Sequence, residues 1–138
     1  MVYVLMAHSI VRWLIVLAAL LALIRLGWGL ASKRAYDQVA WRMVNAYSGL
    51  MSLQMLLGLI FLLWNGFAGV GFPGYRLAHL AVMLVAVFVS HLPKRWKNAT
   101  DALRHRNDLI AVAVSLALVV IGVLTLPQGW TSSAVFGH

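Results

Sequence analysis

Two histidines, His8 and His79, stand near the start of two hydrophobic segments that are predicted to enter a membrane from the same side. An imidazole in hydrocarbon is costly unless the protein uses it, so an ionisable residue within a span is a functional candidate by default. His8 follows Tyr3 by five residues and His79 follows Tyr75 by four, and these tyrosines are the expected interfacial anchors. The difference of one residue corresponds to about 1.5 Å of depth along a helix. Two imidazoles at matched depth predict a pair of axial ligands for one haem.

Three further residues share the helix faces of these histidines. Arg12 lies four residues after His8, Arg76 lies three before His79, and Met83 lies four after His79; residues three or four apart are neighbours on a helix. A guanidinium in a membrane needs an anion, water or a route to the interface, and haem propionates would supply the anion. Met83 would pack on the macrocycle. Each of these residues also has an alternative role that needs no haem. The histidines would hydrogen-bond across helices or lie among lipid headgroups, the arginines would reach the interface, and Met83 would fill space in the bundle.

The remaining histidines are weaker candidates. His91 follows His79 by 12 residues, which places it about 120° around the helix at roughly 100° per residue. We therefore expect an interfacial or structural role for His91, with metal binding as the lesser possibility. His105 is predicted to be solvated in the third connection, and His138 belongs to the C-terminus. Gln54, near the middle of the second segment, is expected to hydrogen-bond to a neighbouring helix.

The composition predicts an integral membrane protein. The chain is 63% hydrophobic and 10% charged, has a mean hydropathy of +0.90 and contains no glutamate, so it cannot cover a soluble domain with charge. Four apolar segments are predicted to form a single transmembrane domain over 1–138, each long enough to cross about 30 Å of hydrocarbon: 3–29, 43–65, 76–93 and 108–126. The absence of cysteine excludes disulfides, cysteine-ligated clusters and covalent c-type haem.

The distribution of charge predicts the topology. The second connection, Asn65–Tyr75, carries no positive charge. The first and third connections hold Lys33, Arg34, Arg42, Lys94, Arg95, Lys97, Arg104 and Arg106. The positive-inside rule therefore places these two connections in the cytoplasm and both termini outside. Tryptophans near the segment ends suit an interfacial belt: Trp41, Trp64, Trp96 and Trp130.

Short connections between sequential helices predict an all-α, antiparallel four-helix bundle with a cofactor site between facing helices. In this setting the net charge of +8 indicates contact with anionic lipid headgroups rather than with nucleic acid.

Three short motifs carry a resemblance to a known family. Segments 8–13 (HSIVRW), 54–58 (QMLLG) and 76–79 (RLAH) resemble those of small bacterial four-helix membrane proteins, many of which are labelled cytochrome b or cytochrome-b-like. The resemblance spans most of the chain and implies a haem-binding bundle in a bacterial cytoplasmic membrane. Two positions depart from the family pattern: Ser52 stands where a helix-two histidine is common, and Ala78 where an acidic residue often precedes the helix-three histidine.

The favoured function is a b-type haem protein that passes electrons within the bilayer, to or from a quinone, with haem b near the outer side between helices one and three. The alternative is a haem-free accessory subunit that packs in a larger respiratory or photosynthetic complex. A transporter is disfavoured because broken helix pairs are lacking. The sequence contains no nucleophile–base constellation and no phosphate loop, so it does not support a catalytic role. Other membrane subunits or further copies of the chain are the expected protein partners.

Overall fold

The computed structural model describes residues 2–127, so Trp130 and His138 lie outside the described residues. Within this range there are four α-helices: α1 (Val2–Ala31), α2 (Gln38–Asn65), α3 (Gly74–Ser90) and α4 (Asp101–Leu124). A π-helical segment, Gly66–Val70, follows α2, and a 3₁₀ segment, Leu92–Trp96, follows α3. The described elements are all helical, as the sequence predicted. Together with these two short segments, the helices form four stretches that are long and apolar enough to cross a membrane: Val2–Ala31, Gln38–Val70, Gly74–Trp96 and Asp101–Leu124.

The turn between α1 and α2 is closed by local hydrogen bonds. Lys33 adopts a left-handed conformation with φ 55°, its amide donates to the carbonyl of Leu30, and the amide of Arg34 donates to that of Gly29. This is the Schellman arrangement, which satisfies carbonyl groups at the end of a helix. Asp37 then begins α2, because its carboxylate accepts from the Ala40 amide at 3.0 Å and so caps the first turn.

Three spans have an end that differs from the prediction by three residues or more. α4 begins at Asp101 rather than at residue 108, because the Thr100 side chain accepts from the Leu103 amide and caps the helix. α2 begins at Gln38 rather than at residue 43 because of the Asp37 cap. α3 ends at Ser90 rather than at residue 93, since Pro93 lacks an amide hydrogen and cannot continue an α-helix. Arg104 and Arg106, predicted for the third connection, therefore lie in α4.

Small and branched side chains fill the interior. α1 contacts α2 and α4, and α3 contacts α4 and α2, so α1 and α3 lie diagonally opposite. Alanines in the core let the helix backbones approach closely: Ala19, Ala22, Ala40 and Ala86 are fully buried. Ser115 links three helices, since its hydroxyl bonds to the Tyr47 hydroxyl at 2.8 Å and donates to the Ala86 carbonyl at 2.9 Å. Large apolar side chains cover the outside, which is the surface that a lipid-facing protein requires.

Candidate functional site

A cavity of about 450 Å³ lies among all four helices, within the usual size range of small-molecule and cofactor sites. All five residues predicted for the cofactor site line it: His8, Arg12, Arg76, His79 and Met83. We call this space the histidine cavity. The residues that were predicted to share a helix face with His8 or His79 therefore line one space, which lies between the diagonal helices α1 and α3.

His79 is held in one orientation by α4. Its Nδ1 lies 2.7 Å from the carbonyl oxygen of Gly122. A carbonyl only accepts, so Nδ1 carries the hydrogen and donates. In the neutral ring Nε2 then keeps its lone pair. A backbone carbonyl on the distal nitrogen is also the usual partner of a metal-ligating histidine. His79 therefore has the form that a metal ligand requires.

His8 is held differently, by α2. The side-chain nitrogen of Gln54 donates to the His8 carbonyl at 2.9 Å and also lies 3.3 Å from Nδ1 of the His8 ring. This confirms the expectation that Gln54 bonds to a neighbouring helix. Gly58 flanks the other ring nitrogen, since a Cβ at residue 58 would lie 3.4 Å from Nε2 of His8. The absence of a side chain at Gly58 leaves space beside Nε2.

The charge of the histidine cavity is positive. Arg12 is 8% exposed and lies over the Trp13 ring at 5.2 Å, and half-buried Arg76 lies over the Phe61 ring at 5.3 Å. No carboxylate lines the cavity among residues 2–127. Guanidinium groups stay protonated and match carboxylates in geometry. An anionic ligand is therefore the electrostatic complement of this cavity.

The rest of the wall is mainly apolar. It includes Ile15, Met51, Leu80, Val119 and Val123. Met83 contacts α4 so closely that a Cβ at Gly122 would lie 2.5 Å from its terminal methyl. Glycine at 122 therefore serves two neighbours, because it admits Met83 and presents the carbonyl that His79 uses. A flat apolar ligand with anionic groups would find complementary surfaces here.

The structure places His91 outside the histidine cavity. It lies at the end of α3, where Nε2 is 2.8 Å from the hydroxyl of Ser52 and Nδ1 is 3.4 Å from the Lys94 amine. Ser52 stands where the cytochrome-b-like proteins that the chain resembles commonly have a histidine. The hydrogen bond between Ser52 and His91 shows that this position faces His91. Between residues 2 and 127, no group of three or more His, Cys, Asp or Glu side chains could hold a metal ion.

A second set of polar side chains lies where α4 begins, and the sequence analysis missed it. The polar cluster comprises Tyr36, Trp96, Arg104, His105 and Asp108. Asp108, 1% exposed, accepts from the Tyr36 hydroxyl and from the Trp96 indole, the latter at 2.6 Å. Arg104 stacks on the Tyr36 ring at 3.7 Å. Burial and the hydrogen bond to Asp108 raise the pKa of Tyr36 above its usual value, so the phenol stays protonated and donates.

The prediction that His105 is solvated is wrong. Its side chain is fully buried, and Nδ1 donates to the Asp101 carbonyl at 3.0 Å. The ring packs against Gly29 of α1, where a Cβ would collide with it. The prediction failed because the fourth span was expected to begin at residue 108, whereas α4 begins at Asp101. Once the helix begins at Asp101, residues 105, 108, 112 and 115 fall on one buried face, a spacing that the sequence contains.

One ion pair connects α1 to the start of α2. Arg25 bonds to Asp37 at 2.5 Å. The hydrogen bond from the Ala40 amide is the largest cause that lowers the pKa of Asp37; desolvation opposes it, and the charge of Arg25 lowers the pKa further. The carboxylate therefore stays ionised and keeps its role as a helix cap.

In comparisons with family models, curated proteins and solved structures, no match to the chain was found. The residues present fit a haem, because two imidazoles, two guanidiniums and an apolar wall meet at one cavity. His79 Nδ1 is already bonded in the way that frees Nε2.

Proposed function

We propose that the protein is a b-type haem protein of a bacterial cytoplasmic membrane, which passes electrons within the bilayer. The observation that carries this proposal is the convergence of His8, His79, Arg12 and Arg76 on one cavity whose remaining wall is mainly apolar. Bound haem would accept and release one electron at a time at its iron. A membrane quinone or another membrane subunit is the proposed redox partner, and the resemblance to cytochrome-b-like proteins agrees with this proposal.

The proposed architecture is an antiparallel bundle with both termini on the outer side. Two hydrogen bonds support opposite directions for α3 and α4: His79 pairs with Gly122, whereas Ala86, farther along α3, pairs with Ser115, earlier in α4. The basic connections would lie at the cytoplasmic surface against anionic lipids. The histidine cavity would then open near the outer side.

Each residue of the cavity has a distinct proposed role. His79 and His8 would hold the haem iron through their ring nitrogens. Arg12 and Arg76 would neutralise the propionates, and the difference in their positions along α1 and α3 would orient the ligand. Met83 and the apolar wall would cover the ring and exclude water, which tunes the redox potential of a buried metal centre.

The test is the visible absorption spectrum of the purified protein reconstituted with haem, in oxidised and reduced forms. We expect a low-spin spectrum from the wild type. His8→Ala and His79→Ala should each abolish it, because low-spin haem needs both strong axial ligands. His91→Ala is the matched control, since it removes an imidazole outside the cavity and should leave the spectrum intact.

Two results would contradict the haem proposal. A low-spin spectrum that survives both cavity substitutions would place the ligands elsewhere. Absence of any haem spectrum from a folded wild-type protein would favour the alternative, a haem-free accessory subunit of a larger membrane complex. In that case co-purification from native membranes should recover the chain with its partner subunits.

A further inference from the structure

The two imidazoles of the histidine cavity are not equivalent. Nδ1 of His79 faces a backbone carbonyl, which is a fixed acceptor. Nδ1 of His8 faces the side-chain amide of Gln54, which presents a nitrogen. An amide nitrogen only donates, so Nδ1 of His8 must accept, and the ring hydrogen lies on Nε2. The two rings therefore carry their protons on different nitrogens.

The second contact of Gln54 fixes its orientation. The same side-chain nitrogen donates to the His8 carbonyl at 2.9 Å. Reversing the amide would bring its oxygen against that carbonyl, and two acceptors would then face each other. The observed orientation satisfies both His8 groups with one NH₂. The cost falls on Oε1 of Gln54, which is buried and has no hydrogen-bond partner among residues 2–127.

We propose that Gln54 is a positioning residue that sets the tautomer of His8, so that His79 is the ready ligand of the cavity and His8 the conditional one. This inference rests on the proposed function. His79 offers the Nε2 lone pair as it stands. His8 can offer Nε2 only when its hydrogen moves to Nδ1 and Gln54 turns Oε1 to accept it, which breaks the bond to the His8 carbonyl.

The ligand-free protein tests the tautomers directly. Nitrogen chemical shifts of labelled histidine, measured by NMR at neutral pH, distinguish hydrogen on Nδ1 from hydrogen on Nε2. His8→Ala and His79→Ala assign the two signals. We expect Nε2–H for His8 and Nδ1–H for His79. Finding Nδ1–H for His8 in the wild type would overturn the inference, and this measurement needs no variant of Gln54.

Two substitutions at residue 54 test causation. Gln54→Glu supplies an acceptor and should move the His8 hydrogen to Nδ1, whereas Gln54→Leu removes the donor and should leave a mixture of both forms. The His79 signal is the internal control and should not change in either variant. A Gln54→Glu protein that keeps hydrogen on Nε2 of His8 would overturn the inference, as would an unchanged His8 signal in Gln54→Leu.

Haem titration then tests the consequence for ligation. His79→Ala should lose more haem than His8→Ala. Equal losses would overturn the ranking of the two ligands. If the tautomers are as expected but no variant binds haem, the proposed function fails, while control of His8 by Gln54 stands.

Discussion

At the residue scale, glycines give the cavity its shape as much as the side chains do. Gly58 and Gly122 lie where a Cβ would reach towards His8 and Met83 respectively. Sequence spacing predicted which side chains share a helix face, since that depends on one helix alone. It could not predict that Gln54 meets His8 or that Gly122 meets His79, because these contacts depend on the register between two helices.

Gly58 offers a matched test of this role. Gly58→Ala places a methyl group 3.4 Å from Nε2 of His8, beside the nitrogen that would bind iron, so haem affinity should fall. Gly49→Ala, on the same helix, meets nothing within 4 Å and should leave haem affinity unchanged. Both variants replace a helical glycine and should gain up to about 1 kcal/mol of helix stability. Titration with haem measures the affinity, and equal affinities in the two variants would show that the space beside His8 is not used.

At the element scale, hydropathy predicted the existence of four helices but not their ends. An apolar run identifies a span because hydrocarbon allows only internally bonded backbone. Helix ends depend instead on caps in polar sequence, such as Asp37 and Thr100. The segment from Asp101 to Asn107 was interpreted as a connection for its charges. Its cap makes it the first two turns of α4, and this brings His105 and Asp108 into the interior.

Asp108 connects the first turns of α4 to the first connection through Tyr36 and to the third connection through Trp96. Asp108→Asn leaves a single oxygen for two donors and turns an NH₂ towards one of them. We expect a loss of about 1–3 kcal/mol in the free energy of unfolding, the usual cost of an unsatisfied buried polar group. Asp101→Asn, on the exposed first turn of the same helix, should cost less than about 1 kcal/mol. Unfolding in mixed detergent micelles measures both, and equal losses would show that the polar cluster does not stabilise the fold.

At the scale of the whole molecule, the two ends of the helix assembly differ in chemistry. The three acidic residues of the chain, Asp37, Asp101 and Asp108, lie at the end where α2 and α4 begin. The histidine cavity has two arginines and no acid in its described lining. The positively charged side chains of the first and third connections lie at the same end as these three aspartates. Cations and carboxylates can therefore form a charge network at this end. Among the described residues, the charged side chains of the cavity are all positive, and an anionic ligand would complement them.

We expect this difference in charge to determine the side of the membrane on which the cavity opens, and a chain without cysteine is well suited to the test. Single cysteines at Ser32 and Asn98 mark the two basic connections, and one at Ala68 marks the uncharged connection; all three positions are exposed. Because positively charged connections are retained in the cytoplasm, a membrane-impermeant maleimide should label Ala68→Cys in intact cells. It should label Ser32→Cys and Asn98→Cys only after the membrane is permeabilised. The reverse pattern would move the cavity to the cytoplasmic side, where haem would exchange electrons with partners on that surface instead. Labelling of all three in intact cells would contradict the four-span topology, because connections separated by one span must lie on opposite sides.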